Sequence, residues 1–213
     1  MKITAISRVK GTRYKIDVDG EYWYILDAEI IAQFGFQPDC EVDEQTLLEA
    51  RNTVDRRRAR ERALYLLTSR DHSAGELLEK LSRNVSEEIA LETVVHMQQL
   101  GLVNDEAYAE KLARYLLTVK RYGAFRTRQE MRKKHLADEL IDAALENALD
   151  EHDPCDAVRE LIERKYLRYT GDRKGRQKII AALTRLGHRY GDIRAVLEEY
   201  PLEEEQSEEE SYF

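Results

Sequence analysis

The sequence predicts a mainly α protein, a tandem array of three three-helix repeats behind a small N-terminal β-hairpin or sheet. Three observations predict it. First, the chain repeats itself: Ala63-Leu64-Tyr65-Leu66-Leu67-Thr68-Ser69-Arg70 returns as Ala113-Arg114-Tyr115-Leu116-Leu117-Thr118-Val119-Lys120, a shift of 50 positions. A looser third copy stands at Tyr166-Leu167-Arg168-Tyr169-Thr170-Gly171. A period of this length marks a repeated supersecondary unit that buries its apolar face by stacking on its neighbours. Second, apolar residues beyond position 43 recur at three- and four-residue spacings, the period of an amphipathic helix. Third, only 3 Pro and 10 Gly occur in 213 residues that are 36% charged, a composition of long exposed helices. Arrays of this kind hold partners along an extended face and seldom enclose a catalytic pocket, so binding is favoured over catalysis.

The head, residues 1–42, reads as β. Ile3 to Val9 alternates weakly, and Tyr14–Val18 and Glu21–Ile25 flank Asp19-Gly20. Asp-Gly supplies two residues tolerant of positive φ, as a type I′ hairpin requires. A regular ladder from that turn pairs Ile16 with Trp23 and Tyr14 with Ile25. It places Tyr14, Ile16, Val18, Trp23 and Ile25 on the core face, and Lys15, Asp17, Tyr22 and Tyr24 on the other. Asp27 caps a short helix ended by Gly35. Asp43 then opens a connector over 43–62 that leads into the first repeat, with the basic run Arg56-Arg57-Arg58-Ala59-Arg60 at its middle.

The repeats are expected over 59–103, 104–152 and 153–200. In the first, Ser73-Ala74-Gly75-Glu76 matches a capping box, Ser86 opens the third helix and Gly101 ends it. In the second, Asn104 or Asp105 caps the first helix, a middle helix runs near Phe125–His135, and Asp138 starts the last. In the third, Asp153-Pro154 opens a helix to about Arg168, Gly171–Gly175 forms a loop, and helices follow near Arg176–Leu186 and Gly191–Glu199.

Charge is unevenly spread. Residues 1–55 hold 6 Lys/Arg against 11 Asp/Glu, residues 56–200 hold 28 against 25, and the segment 201–213 holds six Glu and no cation. A basic-leaning body between acidic ends suggests nucleic acid or a nucleoprotein as partner. Lys120–Leu136 carries seven Lys/Arg and one acid, and Arg173–Arg189 six and none. The candidate binding residues are therefore Arg126, Arg128, Arg132, Lys133 and Lys134 in the second repeat, with Arg173, Lys174, Arg176, Lys178 and Arg185 in the third. Solvated helices usually intersperse both signs, so two acid-poor segments at equivalent positions point to a surface for an anionic or nucleoprotein partner. The tail 201–213 should be disordered by like-charge repulsion; its plain role is solubility, its sharper one competition for the basic helices.

Catalysis finds little support. The five His are scattered, and neither an H-E-x-x-H nor a nucleophile elbow occurs. Thr170-Gly171-Asp172-Arg173-Lys174-Gly175 is not a phosphate loop. Cys40 and Cys155 stand far apart, which predicts free thiols and no metal site. Neither a cofactor nor an enzymatic activity is expected. No apolar run approaches a membrane span, and the N-terminus has no signal-peptide pattern, which predicts a cytoplasmic monomer.

Particular segments resemble the RecX family, small bacterial regulators of the RecA recombinase. They are Ala63–Arg70, then Ser73-x-x-Glu76-Leu77-x-x-Lys80-Leu81, then Leu100-Gly101-Leu102-Val103-Asn104-Asp105-x-x-Tyr108-Ala109, with Gly123 and the stretch through Glu139-x-Ile141 in the second repeat. The resemblance covers about residues 55–200. Where the family often has Lys-Gly, this chain has Lys134-His135; the β head resembles extensions on some members only. The resemblance implies a curved three-repeat array lying in the groove of a RecA–single-stranded-DNA filament, limiting its ATPase, strand exchange and growth in recombination, DNA repair and the SOS response. It transfers no catalytic residue. The alternative from the residues is a direct DNA-binding module that does not depend on RecA, since three-helix units with a basic helix also resemble helix-turn-helix readers.

Overall fold

A computed structural model describes residues 1–202; the acidic run from Glu203 onward, and with it most of the expected disordered tail, lies outside the described residues. The chain divides into two compact units, one ending at Val103 and the other beginning at Asn104.

In the first unit, β1 (Ile3–Lys10), β2 (Arg13–Val18) and β3 (Glu21–Asp27) form an antiparallel sheet in that order. Asp19 (φ 51°) and Gly20 (φ 90°) both take the left-handed turn conformation the Asp-Gly pair predicts. The expected ladder holds for its first two pairs, Val18 with Glu21 and Asp17 with Tyr22. A bulge then inserts Trp23, so Ile16 faces Tyr24 and Tyr14 faces Leu26. One extra residue exchanges the faces of everything beyond it. Tyr24 and Leu26 thus take the core side assigned to Trp23 and Ile25, while Trp23 packs half-buried at its edge. Tyr22 stays exposed.

Asp27 precedes α1 (Ala28–Gln33), which Gly35 (φ 66°) terminates. The helix α2 (Glu44–Ser69) starts where Asp43 accepts from the Thr46 amide at 2.8 Å. Its first half presents Leu47, Ala50 and Val54 to Ile3, Ile16, Leu26 and Phe36 of the head. Its second half presents Ala63 and Leu66 to α3 (Ala74–Leu81) and α4 (Glu87–Gln99), around Leu77, Leu81, Val94 and Met97. One continuous helix therefore serves two cores. Three of the four arginines in its basic run are engaged around this joint: Arg58 donates to the Ile25 carbonyl (2.8 Å), Arg57 pairs with Glu29 and Glu61, and Arg56 with Glu92. The Tyr24 hydroxyl donates to Asp55, which is buried at the same place.

In the second unit, α5 (Asp105–Thr118), α6 (Ala124–Arg132) and α7 (Asp138–Glu151) pack around Ala113, Leu116, Met131, Ile141 and Leu145. Asn104 supplies the α5 cap, accepting from the Ala107 amide at 3.0 Å. A second core of Val158, Ile162, Ile179, Leu183, Ile193 and Val196 gathers α8 (Pro154–Leu161), α9 (Arg173–Arg185) and α10 (Tyr190–Glu198). The long helix expected from Pro154 to Arg168 is interrupted. Regular α geometry ends at Leu161, a wide π turn covers Ile162–Tyr166 and a 3₁₀ turn Leu167–Tyr169. The loop expected over 171–175 is shorter than supposed, because Asp172 accepts from the Gly175 amide (2.7 Å) and starts α9 at Arg173. Two apparent loop glycines hid that cap. The middle helix of the second repeat also ends earlier, at Arg132, and His135 takes a left-handed backbone (φ 54°) in the turn that follows.

Candidate basic interface of the second and third repeats

The two acid-poor helices abut. Gly123 precedes α6 and has no side chain to cap it, so the amides of the first turn need acceptors from elsewhere. The end of α9 supplies them: the Gly123 amide donates to the Leu186 carbonyl (2.9 Å) and the Phe125 amide to the Gly187 carbonyl (3.3 Å). Orphan donors of one helix thus meet orphan acceptors of the other, and the positive end of the α6 dipole faces the negative end of α9. The approach requires two glycines. A Cβ on Gly123 would overlap the Gly187 carbonyl, and one on Gly187 (φ 87°) would overlap the Arg126 backbone. His188, buried beside the seam, donates from Nε2 to the Arg121 carbonyl at 3.1 Å, and Arg121 itself takes a left-handed backbone (φ 55°). Burial holds the His188 pKa below its ordinary value and keeps the ring neutral.

The ten candidate cations lie along these two helices or just past the end of α6, in different electrical states. On α6, Arg128 pairs with Asp142, and Arg132 grips Asp138 through Nε (2.7 Å) and Nη2 (3.1 Å). The Arg132 hydrogen bond holds the Asp138 carboxyl below the usual carboxylate range. Lys133 pairs with Glu130 at 2.9 Å, and Arg126 lies over the Tyr122 ring at 4.1 Å. Lys134 is half-buried. On α9, Arg176 turns inward and donates to the carbonyls of Thr170 (2.7 Å) and Tyr200 (2.5 Å). Exposed Arg185 donates to the Ala181 carbonyl of its own helix, and exposed Lys178 stands 5.9 Å from the Tyr169 ring. Arg173 and Lys174 are exposed and make no hydrogen bond or ion pair with another described residue.

Charge counts along single helices cannot show this difference. The acids that quench α6 sit on α7, at Asp138 and Asp142, four residues apart and therefore on one face. The open positive charge is concentrated on α9. Sequence reading also missed Gly187 and His188 as the seam. The signal was present in Leu186-Gly187, the same helix-ending pair as Leu100-Gly101. The corresponding middle helix of the first repeat, α3, ends in an Arg83–Glu79 pair (2.6 Å), in line with its near-neutral composition.

A cleft of about 300 Å³ opens beside the seam, between apolar Leu117, Tyr122 and Ala157 and the Arg121–Glu160 pair. Among the described residues no group of three or more His, Cys, Asp or Glu is placed to hold a metal ion, both cysteines are free, and no helix is long and apolar enough to cross a membrane.

Fold and surface together define a protein built of three-helix units, with a sheet-bearing head and an unbalanced cationic helix in its last repeat. Comparison with known proteins gives the same class. Residues 59–97 match the model of the first three-helix domain of RecX, and residues 104–145 that of the second. A regulatory protein RecX of Trichlorobacter lovleyi is 30% identical over 140 residues, 64% of this chain and 91% of that protein. The regulatory protein RecX of Clostridioides difficile is 27% identical over 92% of this chain and 93% of its own. A crystal structure of a regulatory protein RecX superposes with a TM-score of 0.64 at 23% identity, over 92% of this chain and 98% of the other. A RecX structure from Lactobacillus salivarius gives 0.60 at 25% identity, over 69% and 97%. The chain belongs to the RecX family of regulatory proteins.

Proposed function

We propose that this protein binds the RecA–single-stranded-DNA filament and restrains its ATPase, strand exchange and growth, acting as a cytoplasmic, non-enzymatic monomer in recombination and DNA repair. The observation that carries the reading is the junction of α6 and α9 in a member of this family. It sets two cationic helices end to end, about 13 Å and 20 Å long at 1.5 Å per residue, opposite a partner whose protein and phosphates repeat at fixed spacing. The open charges of α9 (Arg173, Lys174, Lys178 and Arg185) are the contact we assign first, with Arg126 beside the junction and Lys134 past the far end of α6. Arg128, Arg132 and Lys133 contribute less because each already holds an acid.

Co-sedimentation tests the reading, with RecA filaments and bare single-stranded DNA side by side. Tighter binding to filaments, accompanied by a fall in RecA's DNA-dependent ATPase, is the expected result. Equal affinity for bare DNA with the ATPase unchanged would overturn it and favour the direct DNA-binding alternative, whose affinity should fall steeply with salt and persist without RecA.

A further inference from the structure

We propose that the acidic segment 203–213 docks in cis on the basic face of α9 and competes there with other polyanions. The helix Arg173–Arg185 carries five Lys/Arg and no acid. Arg173, Lys174 and Lys178 are exposed, and none forms an ion pair with another described residue. They crowd the N-terminal half, where the helix dipole adds positive potential.

The residues just before the acidic segment are tied to this helix and to α8. Arg176 donates from Nη2 to the Tyr200 carbonyl at 2.5 Å, and Arg159 holds Glu199 through two hydrogen bonds of 2.9 and 2.7 Å. Both α8 and α9 therefore clamp the residues from which the segment departs. Arg173 lies three residues before Arg176, on the same helix face. Tyr200, three residues before the acidic run, is thus held by the helix that carries the open cations.

Reach and charge agree with that geometry. The thirteen residues after Tyr200 carry six Glu and no Lys or Arg. Fully extended they span about 43 Å; as a coil their mean reach is about 20 Å, close to the roughly 20 Å length of α9. Tethering raises the local concentration of the acids to the order of millimolar. Exposed pairs that count for little singly then act together. Docking would make the cationic face open only to a polyanion that outcompetes the segment. The proposal does not depend on the filament reading, because any polyanion reports on it.

The test uses the full chain and a fluorescent 20-nucleotide oligothymidylate as the polyanion. One variant replaces Glu203, Glu204, Glu205, Glu208, Glu209 and Glu210 by Gln. It should bind the oligonucleotide about tenfold more tightly than the parent at about 50 mM salt, with the difference gone by about 300 mM. The same changes should give no gain in a background carrying Arg173→Gln, Lys174→Gln and Lys178→Gln. Carbodiimide treatment of the parent should cross-link the acidic segment to Lys174 or Lys178 within one chain. A gain of equal size in the α9-neutralised background would mean that only net charge acts, and would overturn the proposal. So would the absence of a gain in either background, or cross-links found only between chains.

Discussion

At the scale of single residues, what a charged or polar side chain does here depends on what it already holds. Tyr24 and Asp55 show it in the head. The hydroxyl donates to a carboxylate buried under the sheet, while the Arg51 and Arg58 guanidinium groups lie over the tyrosine ring at 5.2 and 5.5 Å. Tyr24→Phe removes the hydroxyl and keeps the ring, and should cost about 1–2 kcal/mol in urea unfolding. Burial, with the Asp55 hydrogen bond behind it, raises the Tyr24 pKa above its ordinary 10.0. Its contribution is therefore whole below pH 10 and lost as pH rises through the raised folded value, so Tyr24→Phe should be the flatter of the two in alkaline unfolding. The same logic ranks the candidate cations. Arg173→Glu with Lys174→Glu should weaken filament binding most, about tenfold or more at moderate salt. Arg128→Glu with Arg132→Glu should do less, and Lys80→Glu with Arg83→Glu in the first repeat least, all read by co-sedimentation. Equal losses in the three pairs would place the contact elsewhere on the protein.

At the scale of elements, the join between α6 and α9 is the most demanding feature, since it needs two backbones closer than any Cβ allows. Gly187→Ala meets both a left-handed φ and the Arg126 backbone. It should destabilise the second unit by more than about 2 kcal/mol. Gly101→Ala, with a similar φ of 69° but open space around it, isolates the backbone term and should cost only about 1 kcal/mol. Thermal unfolding of the two variants separates strain from collision. His188 adds a pH dependence to the same join. Its folded pKa lies below the ordinary 6.5 because the ring is buried. Stability from keeping it neutral is thus present above pH 6.5 and lost as pH falls through the lower folded value. His188→Gln should reduce the acid-side slope of the urea midpoint between about pH 7 and pH 5, whatever it does to stability at neutral pH.

At the scale of the whole molecule, the net charge of −8 conceals a division of labour between a quenched helix and an open one. If α9 supplies the main contact, filament affinity should decline with salt less steeply than ten free cations would require, because Arg128, Arg132, Lys133 and Arg176 are already engaged inside the fold. Each phosphate of a single strand that is neutralised contributes about 0.7 to the logarithmic salt slope. A slope of about −3 is expected from Arg173, Lys174, Lys178 and Arg185, and a slope near −7 would restore the full ten-residue face.

The class of fold, the Asp19-Gly20 turn and most helix starts were legible along the chain, because periodicity, caps and turn residues act over fewer than five positions. The β register from Ile16 onward was not. Nothing local distinguishes a bulge at Trp23 from a regular ladder, and the bulged register is the one that sets Tyr24 against Asp55, 31 positions away. The candidate surface was legible as composition and not as electrostatics. Asp138 and Asp142 quench α6 from the next helix, while Arg176 is drawn inside by carbonyls as far away as Tyr200. Which cations remain open is decided by partners distant in the chain and adjacent in space, and that adjacency exists only in the tertiary structure.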